Sequence, residues 1–459
     1  MSILIRNGRV IAAELDEVTD LFIEGETIAA IGSSLHVSAD TILDASNRLV
    51  VPGGIDVHTH LDAPVGGTLS SDDFETGTRA AAYGGTTSII DFATQEKGHS
   101  LSEALELWLE KGLKATIDFG LHMIVVDMPE SRLDEINRMV DRGVTSFKLF
   151  MAYPGVLMSD DAAILRVMER CRDVGALVCI HAENGVAIDH LVRRALARGE
   201  TAPLYHALTR PPAVEAEATH RAIVLAGLAQ VPLYVVHVTC AEAAAEILLA
   251  RERGLPVAGE TCPQYLLLSI QDLKRPGLEG AKYVLTPPLR DASNHLPLWE
   301  ALRHDNLQVV STDHCPFFFA RQKLADTTNF TRIPNGGPGI EHRMELLYHF
   351  GVNEGRISLR RWVDLVSTTP ARLFGLYPRK GAIRLGSDAD LVLWNPEKRS
   401  TISASTHHMN VDYSMYEGVT VAGGAETVIA RGEVLLRDGT WYGKTGRGRF
   451  LKRSSSGIM

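Results

Sequence analysis

The feature that most constrains this chain is a repeated alternation in which short, near-continuous apolar runs are separated by amphipathic helical stretches. Eight strands are expected from these runs, at 53–58, 86–92, 117–125, 144–150, 176–181, 233–238, 256–260 and 307–312. Strands that are apolar on both faces suit a parallel sheet covered by helices, and eight βα repeats suit a closed (β/α)8 (TIM) barrel. The stretch "GHSLSEALELWLEKGLK" illustrates one covering helix. Ser100 and Glu103 make a capping box, Leu105, Trp108 and Leu109 form the apolar stripe, and Gly112 stands near the end. "SDDAAILRVMERCRDVGALVCIHAEN" runs from helix through Gly175 to an apolar strand ending at His181. Segment 262–300 is irregular and reads as an inserted loop at the active site.

The two ends have a different texture. Residues 1–52 hold short alternating segments broken by Asn7-Gly8 and Glu24-Gly25, which are hairpin signals, and "DADLVLWNP" and "TVIARGEVLLRDG" bring the pattern back near the other end. Neither segment is large enough for a core of its own. Residues 1–52 and 377–459 are therefore expected to share one small β-sandwich, with 53–376 forming the barrel.

Composition excludes several partners. A net charge of −10 leaves no basic excess to replace the counterions of a nucleic acid or to bind an anionic membrane surface. No run approaches the 18 apolar residues of a membrane span, and "MSILIRNGRVIAAELDE" turns polar too soon for a secretory signal. Cys171, Cys179, Cys240, Cys262 and Cys315 are scattered and form no C-x-x-C pair, which suits reduced thiols in a cytoplasmic protein.

Active sites of such barrels gather at the C-terminal ends of the strands. The polar residues standing there are few: His58 and His60 after "GGIDV", Lys148 in "VTSFKLF", His181 in "ALVCIHAEN", His237 in "LYVVHVTC" and Asp313 in "LQVVSTDHCP". His122, in mid-strand, reads instead as a hydrogen-bonded core residue. Four imidazoles and one carboxylate make a ligand set that suits zinc and also accepts manganese. His58, His60 and Asp313 could serve one ion, and His181 with His237 a second. Two cations about 3.5–4 Å apart need an anionic bridge, and no carboxylate in this set is left to supply one. Lys148 could do so only after reaction with CO2, which turns the amine into a carbamate.

Ten ordered segments then match a known family: "PGGIDVHTHLD", "GGTTSIIDF", "SFKLFMAY", "VCIHAENG", "YVVHVTCAEA", "GETCPQYL", "TPPLR", "STDHCPF", "IPNGGPGIEHR" and "GSDADLVLWNP". Together they resemble the cyclic amidohydrolases, in particular the dihydropyrimidinase and D-hydantoinase branch. The resemblance implies hydrolysis of a cyclic amide or ureide by two divalent metal ions, held by His58, His60, His181, His237, carbamylated Lys148 and Asp313. It further implies that Asp313 carries a proton, that Tyr153 hydrogen-bonds the developing oxyanion, and that the backbones of Thr286 and Asn335 hold the ring. Thr286 stands where some relatives have serine. Val65, Phe150 and Leu157 are candidates for an apolar pocket around the ring substituent, favouring 5-substituted hydantoins.

Relatives of the dihydroorotase type carry an arginine just after H-x-H, where this chain has Leu61 and Asp62. Allantoinase is a related cyclic amidase. Collapsin-response scaffolds look similar but lack metal ligands, all of which are present here. The resemblance also implies a homotetramer, and the basic "GKTGRGRFLKRSSSGIM" reads as a tail whose last few residues are solvated.

Overall fold

The computed structural model describes residues 2–457. Eight parallel strands form the barrel: Gly54–Thr59, Thr86–Thr94, Asp118–Ile124, Ser146–Phe150, Leu177–His181, Leu233–Val235, Val257–Thr261 and Val309–Val310. All eight expected strands are found. The sixth and eighth are shorter than their apolar runs, because the chain turns out of the ladder to present polar residues; His237 has φ of +41° and Asp313 +52°. The capping box of Ser100 and Glu103 is present at the start of helix Leu101–Gly112.

The first and eighth strands are joined indirectly. The fully buried Arg343 donates through Nη1 to the carbonyls of Ile55 and Val310 (3.1 and 2.9 Å), and Thr312 Oγ1 donates to Asp56 (2.6 Å). Beyond the strand end, Thr59 bridges to His314 and the His60 N–H donates to the His314 carbonyl (2.8 Å). These contacts complete the ring at the level of the site. Inside the barrel Ile55, Val57, Ile90, Leu177, Tyr234 and Val309 pack together with Phe374 and Leu451.

The two chain ends meet in a nine-stranded mixed sheet. Strand Ser2–Ile11 pairs with Thr41–Asp44 through its first half and with Leu49–Pro52 through its second, so the sheet forks there. Leu49–Pro52 also pairs antiparallel with Leu391–Thr401, which joins the amino-terminal strands to the carboxy-terminal ones. A separate core of Ile3, Ile5, Val10, Leu21, Ile23, Leu391 and Ile429 results.

The basic segment is docked on the barrel as far as Arg453, while Ser454, Ser455 and Gly457 are exposed, in line with the reading of its last few residues. The Leu451 N–H donates to Phe119, Ser454 to Gly375 and Gly457 to Arg372. Arg453 is buried, with Nη2 donating to Ser146 Oγ (2.7 Å) and to the Leu121 carbonyl. A stretch that looks hydrophilic is held because its backbone supplies partners to a strand end and its arginine donates to the Leu121 carbonyl and the Ser146 hydroxyl. Ile458 and Met459 lie outside the described residues.

Candidate active site

Strand alternation and the closing contacts bring His58, His60, Lys148, His181, His237 and Asp313 together at the C-terminal end of the barrel. The ligand atoms of His58, His60 and Asp313 all lie within 4.8 Å of one another. Asp313 Oδ1 is 3.2 Å from His58 Nε2 and 3.4 Å from His60 Nε2. Lys148 Nζ is 3.0 Å from the same His58 Nε2. On the far side, His181 Nδ1 and His237 Nε2 face each other at 2.9 Å. His122 is not part of this group: it is buried, with Nε2 3.0 Å from the Val57 carbonyl and Nδ1 against Ser146.

Two carboxylates absent from the sequence reading hold the imidazoles. Glu260 contacts His58 Nδ1, accepts from the Tyr234 hydroxyl (2.9 Å) and from the His237 N–H (3.2 Å). Glu183 Oε2 sits 2.9 Å from His181 Nε2. A carboxylate on one ring nitrogen is the usual way a protein orients the other nitrogen toward a metal. The signal for Glu183 was its place two residues after His181 in "HAEN"; for Glu260 it was an acid at the end of the apolar run "PVAGE".

Burial drives the His58 and His237 imidazoles well below their ordinary pKa, so both are neutral and able to offer a lone pair. Burial also lowers Lys148, and it raises Glu260 to about 7. Burial alone would raise Asp313, but His58, His60 and Lys148 outweigh it and hold the carboxyl at about 2. Tyr153 is pushed up to about 12, by burial first and then by Glu183, with Thr286 and Asn335 opposing. Its φ of +66° is a left-handed conformation that a bulky residue adopts at a cost of order 1–3 kcal/mol.

The donor set fits metal ions. His181 Nδ1 and His237 Nε2 converge at 2.9 Å, as two ligands of one cation would. Among the described residues, Lys148 has no carboxylate at ion-pair distance; its amine lies over the rings of Phe92 (4.2 Å) and Phe150 (5.0 Å). A buried amine so placed is readily deprotonated, the state that reacts with CO2.

Above these residues opens a cavity of about 860 Å³. Tyr153, Thr286 and Asn335 line it, as do Val65, Phe150 and Leu157. Phe150 and Leu157 pack with Phe92, Ile124 and Tyr153. Val65 comes from a separate element, the hairpin of Pro64–Val65 and Thr68–Leu69. His206 and Arg210, which the sequence reading did not single out, also line the cavity.

Residues 49–434 match the model of the Amidohydrolase family. A D-hydantoinase from Streptomyces coelicolor is 53% identical over 458 residues, covering 98% of each chain. One from Geobacillus stearothermophilus is 49% identical, covering 100% of this chain and 98% of its own. The crystal structure of dihydropyrimidinase from Brevibacillus agri NCHU1002 superposes with a TM-score of 0.98 at 51% identity, covering 99% of both chains. Amidohydrolases are generally metal-dependent, in keeping with the His58, His60 and Asp313 cluster. With this barrel, this cluster and relatives matched from end to end, the chain belongs to the amidohydrolase family, in its D-hydantoinase and dihydropyrimidinase branch.

Proposed function

We propose that this protein hydrolyses the cyclic amide bond of 5-substituted hydantoins, dihydropyrimidines or both, giving N-carbamoyl amino acids. The observation that carries the reading is the convergence of four histidines, Lys148 and Asp313 beneath a cavity lined by Tyr153, Thr286 and Asn335. Its full-length similarity to D-hydantoinases supports the substrate class. His58, His60 and Asp313 would hold one divalent ion, His181 and His237 a second, and Lys148, carrying a CO2-derived carbamate, would be shared by both. Zn2+ suits these donors and Mn2+ is compatible. Such ions supply a water of lowered pKa and polarise a carbonyl.

The chain's own groups do the rest. Asp313, ionised at neutral pH, takes the proton of the attacking water and delivers it to the ring nitrogen as the C–N bond breaks. Tyr153 stays protonated and donates to the carbonyl oxygen as negative charge builds there. The backbones of Thr286 and Asn335 hold the cyclic amide in register. Phe150, Leu157 and Val65 receive an apolar substituent at ring position 5. A homotetramer and a cytoplasmic location are part of the reading; the free, buried cysteines support a reducing compartment.

The test compares dihydrouracil with both enantiomers of a 5-aryl hydantoin, using protein reconstituted with Zn2+ in bicarbonate. Expected are two ions per chain and ring opening of at least one substrate. Protein that holds two ions yet opens none of them would refute the substrate class.

A further inference from the structure

Beside the catalytic end, the turn Phe319–Lys323 carries two neighbouring side chains that reach different loops lining the cavity. Lys323 is fully buried, and among the described residues no carboxylate lies within ion-pair distance of it. Its Nζ donates to the carbonyls of Val284 (2.9 Å) and Pro334 (3.0 Å). Those carbonyls lie two residues before Thr286 and one before Asn335. The Gly336 N–H also donates to the Val284 carbonyl (3.1 Å), so the two loops meet at one oxygen, with the lysine spanning both.

Gln322 points the other way. Its Nε2 donates to Thr68 Oγ1 and to the Leu69 carbonyl, both at 2.8 Å, on the hairpin that bears Val65. Its Oε1 accepts from the Phe318 N–H (2.7 Å), which fixes the turn to itself. Asp412 accepts from the N–H groups of Phe319 and Ala320 (2.6 and 3.4 Å) and anchors the turn to the segment beyond the barrel.

An uncompensated lysine inside a protein is costly, and burial here lowers its pKa to about 7. A leucine or methionine would fill the space without that cost. What the amine supplies is two donors, which tie both loops to the turn beside the direct Gly336–Val284 contact. We infer that Lys323 and Gln322 are positioning residues for substrate: Lys323 sets the spacing of the Thr286 and Asn335 backbones, and Gln322 sets the wall facing the ring substituent. The inference rests on the cyclic-amide reading above, since it takes the Thr286 and Asn335 backbones as the groups that hold the ring.

Two variants of the full, metal-loaded protein separate the roles. For Lys323→Met, KM should rise about tenfold or more for both dihydrouracil and a 5-aryl hydantoin. Metal content should stay at the wild-type level and kcat should change less than threefold; Lys323→Arg, which keeps donors, should recover part of the loss. For Gln322→Leu, KM should rise for the 5-aryl hydantoin and hold for dihydrouracil, which has no substituent to place. A folded Lys323→Met with wild-type KM for both substrates overturns the lysine's role. Should that variant not fold, the Gln322→Leu ratio decides: equal KM changes for the two substrates, or none, overturn the proposal. Wild-type protein inactive on both substrates refutes the cyclic-amide reading itself, an outcome distinct from any variant effect.

Discussion

The two ends of the barrel each bury a lysine, and the surroundings of the two amines could hardly differ more. Near the N-terminal end, Lys380 Nζ meets Asp390, Asp118 and Asp388 at 2.7, 2.8 and 3.0 Å, and these acids overcome burial and raise its pKa. Asp118 opens a barrel strand and Asp390 stands just before a strand of the end-built sheet, so this lysine ties the two units together. Near the C-terminal end, Lys148 has imidazole and aromatic rings around it; among the described residues no acid lies at ion-pair distance, and burial lowers its pKa against the longer-range pull of Asp313 and Glu260. A surrounded charge is a fastening; an amine with no carboxylate in direct contact is one that chemistry can convert. The difference follows the general division of these barrels into a stabilising lower face and a reactive upper one.

The sharpest way to break the comparison is to remove each amine in turn. Lys148→Ala should lose most bound metal, and turnover should fall by about a thousandfold or more, with little change in unfolding midpoint for the metal-free protein. A variant that keeps two ions and full turnover would show that no bridge depends on Lys148. Lys380→Met should do the reverse: urea denaturation should show about 3–5 kcal/mol lost, because Asp388 and Asp390 are left without a cation and Asp118 keeps only Arg431, while the surviving folded protein keeps its ions and kcat. Equal metal loss in the two variants would erase the distinction between the ends.

A smaller effect sharpens the upper end alone. Tyr153→Phe should lower kcat about a hundredfold and leave KM within a factor of three, as for a donor that engages mainly in the transition state. An unchanged kcat removes the hydroxyl from that role. The smallest expected effect concerns Lys323, the third buried lysine. Its pKa is about 7 when folded and about 10.5 when unfolded, so between those values the unfolded chain binds the extra proton and stability rises with pH. Raising the pH from 7.5 to 9 should stabilise wild type relative to Lys323→Met by about 2 kcal/mol. Parallel pH profiles for the two proteins would mean that Lys323 keeps its ordinary pKa.

The barrel and the polar residues gathered at its upper end could be read from the chain because both are written locally. Each strand is an apolar run, and each residue proposed as a ligand is the polar one that interrupts or follows such a run, as His181 follows "ALVCI". The residues that steady the site are not written that way. Lys323 sits in "RQKLAD", which has the look of an exposed polar turn, and it is buried only because loops 39 and 11 residues away close over it. Glu260 holds His58 across 202 positions of chain. Arg453 misleads for the same reason: a charged residue in a basic stretch looks solvated until the Leu121 carbonyl and Ser146 hydroxyl that accept from it are in place. Partners chosen by tertiary closure leave no periodic trace.

That arginine has a consequence for how the molecule comes into being. Arg453 and Leu451 close the floor of the barrel, yet they are translated nearly 140 residues after Asp313, the last residue of the cluster at the upper end. A nascent chain therefore emerges from the ribosome with its reactive residues made and its base still open to water.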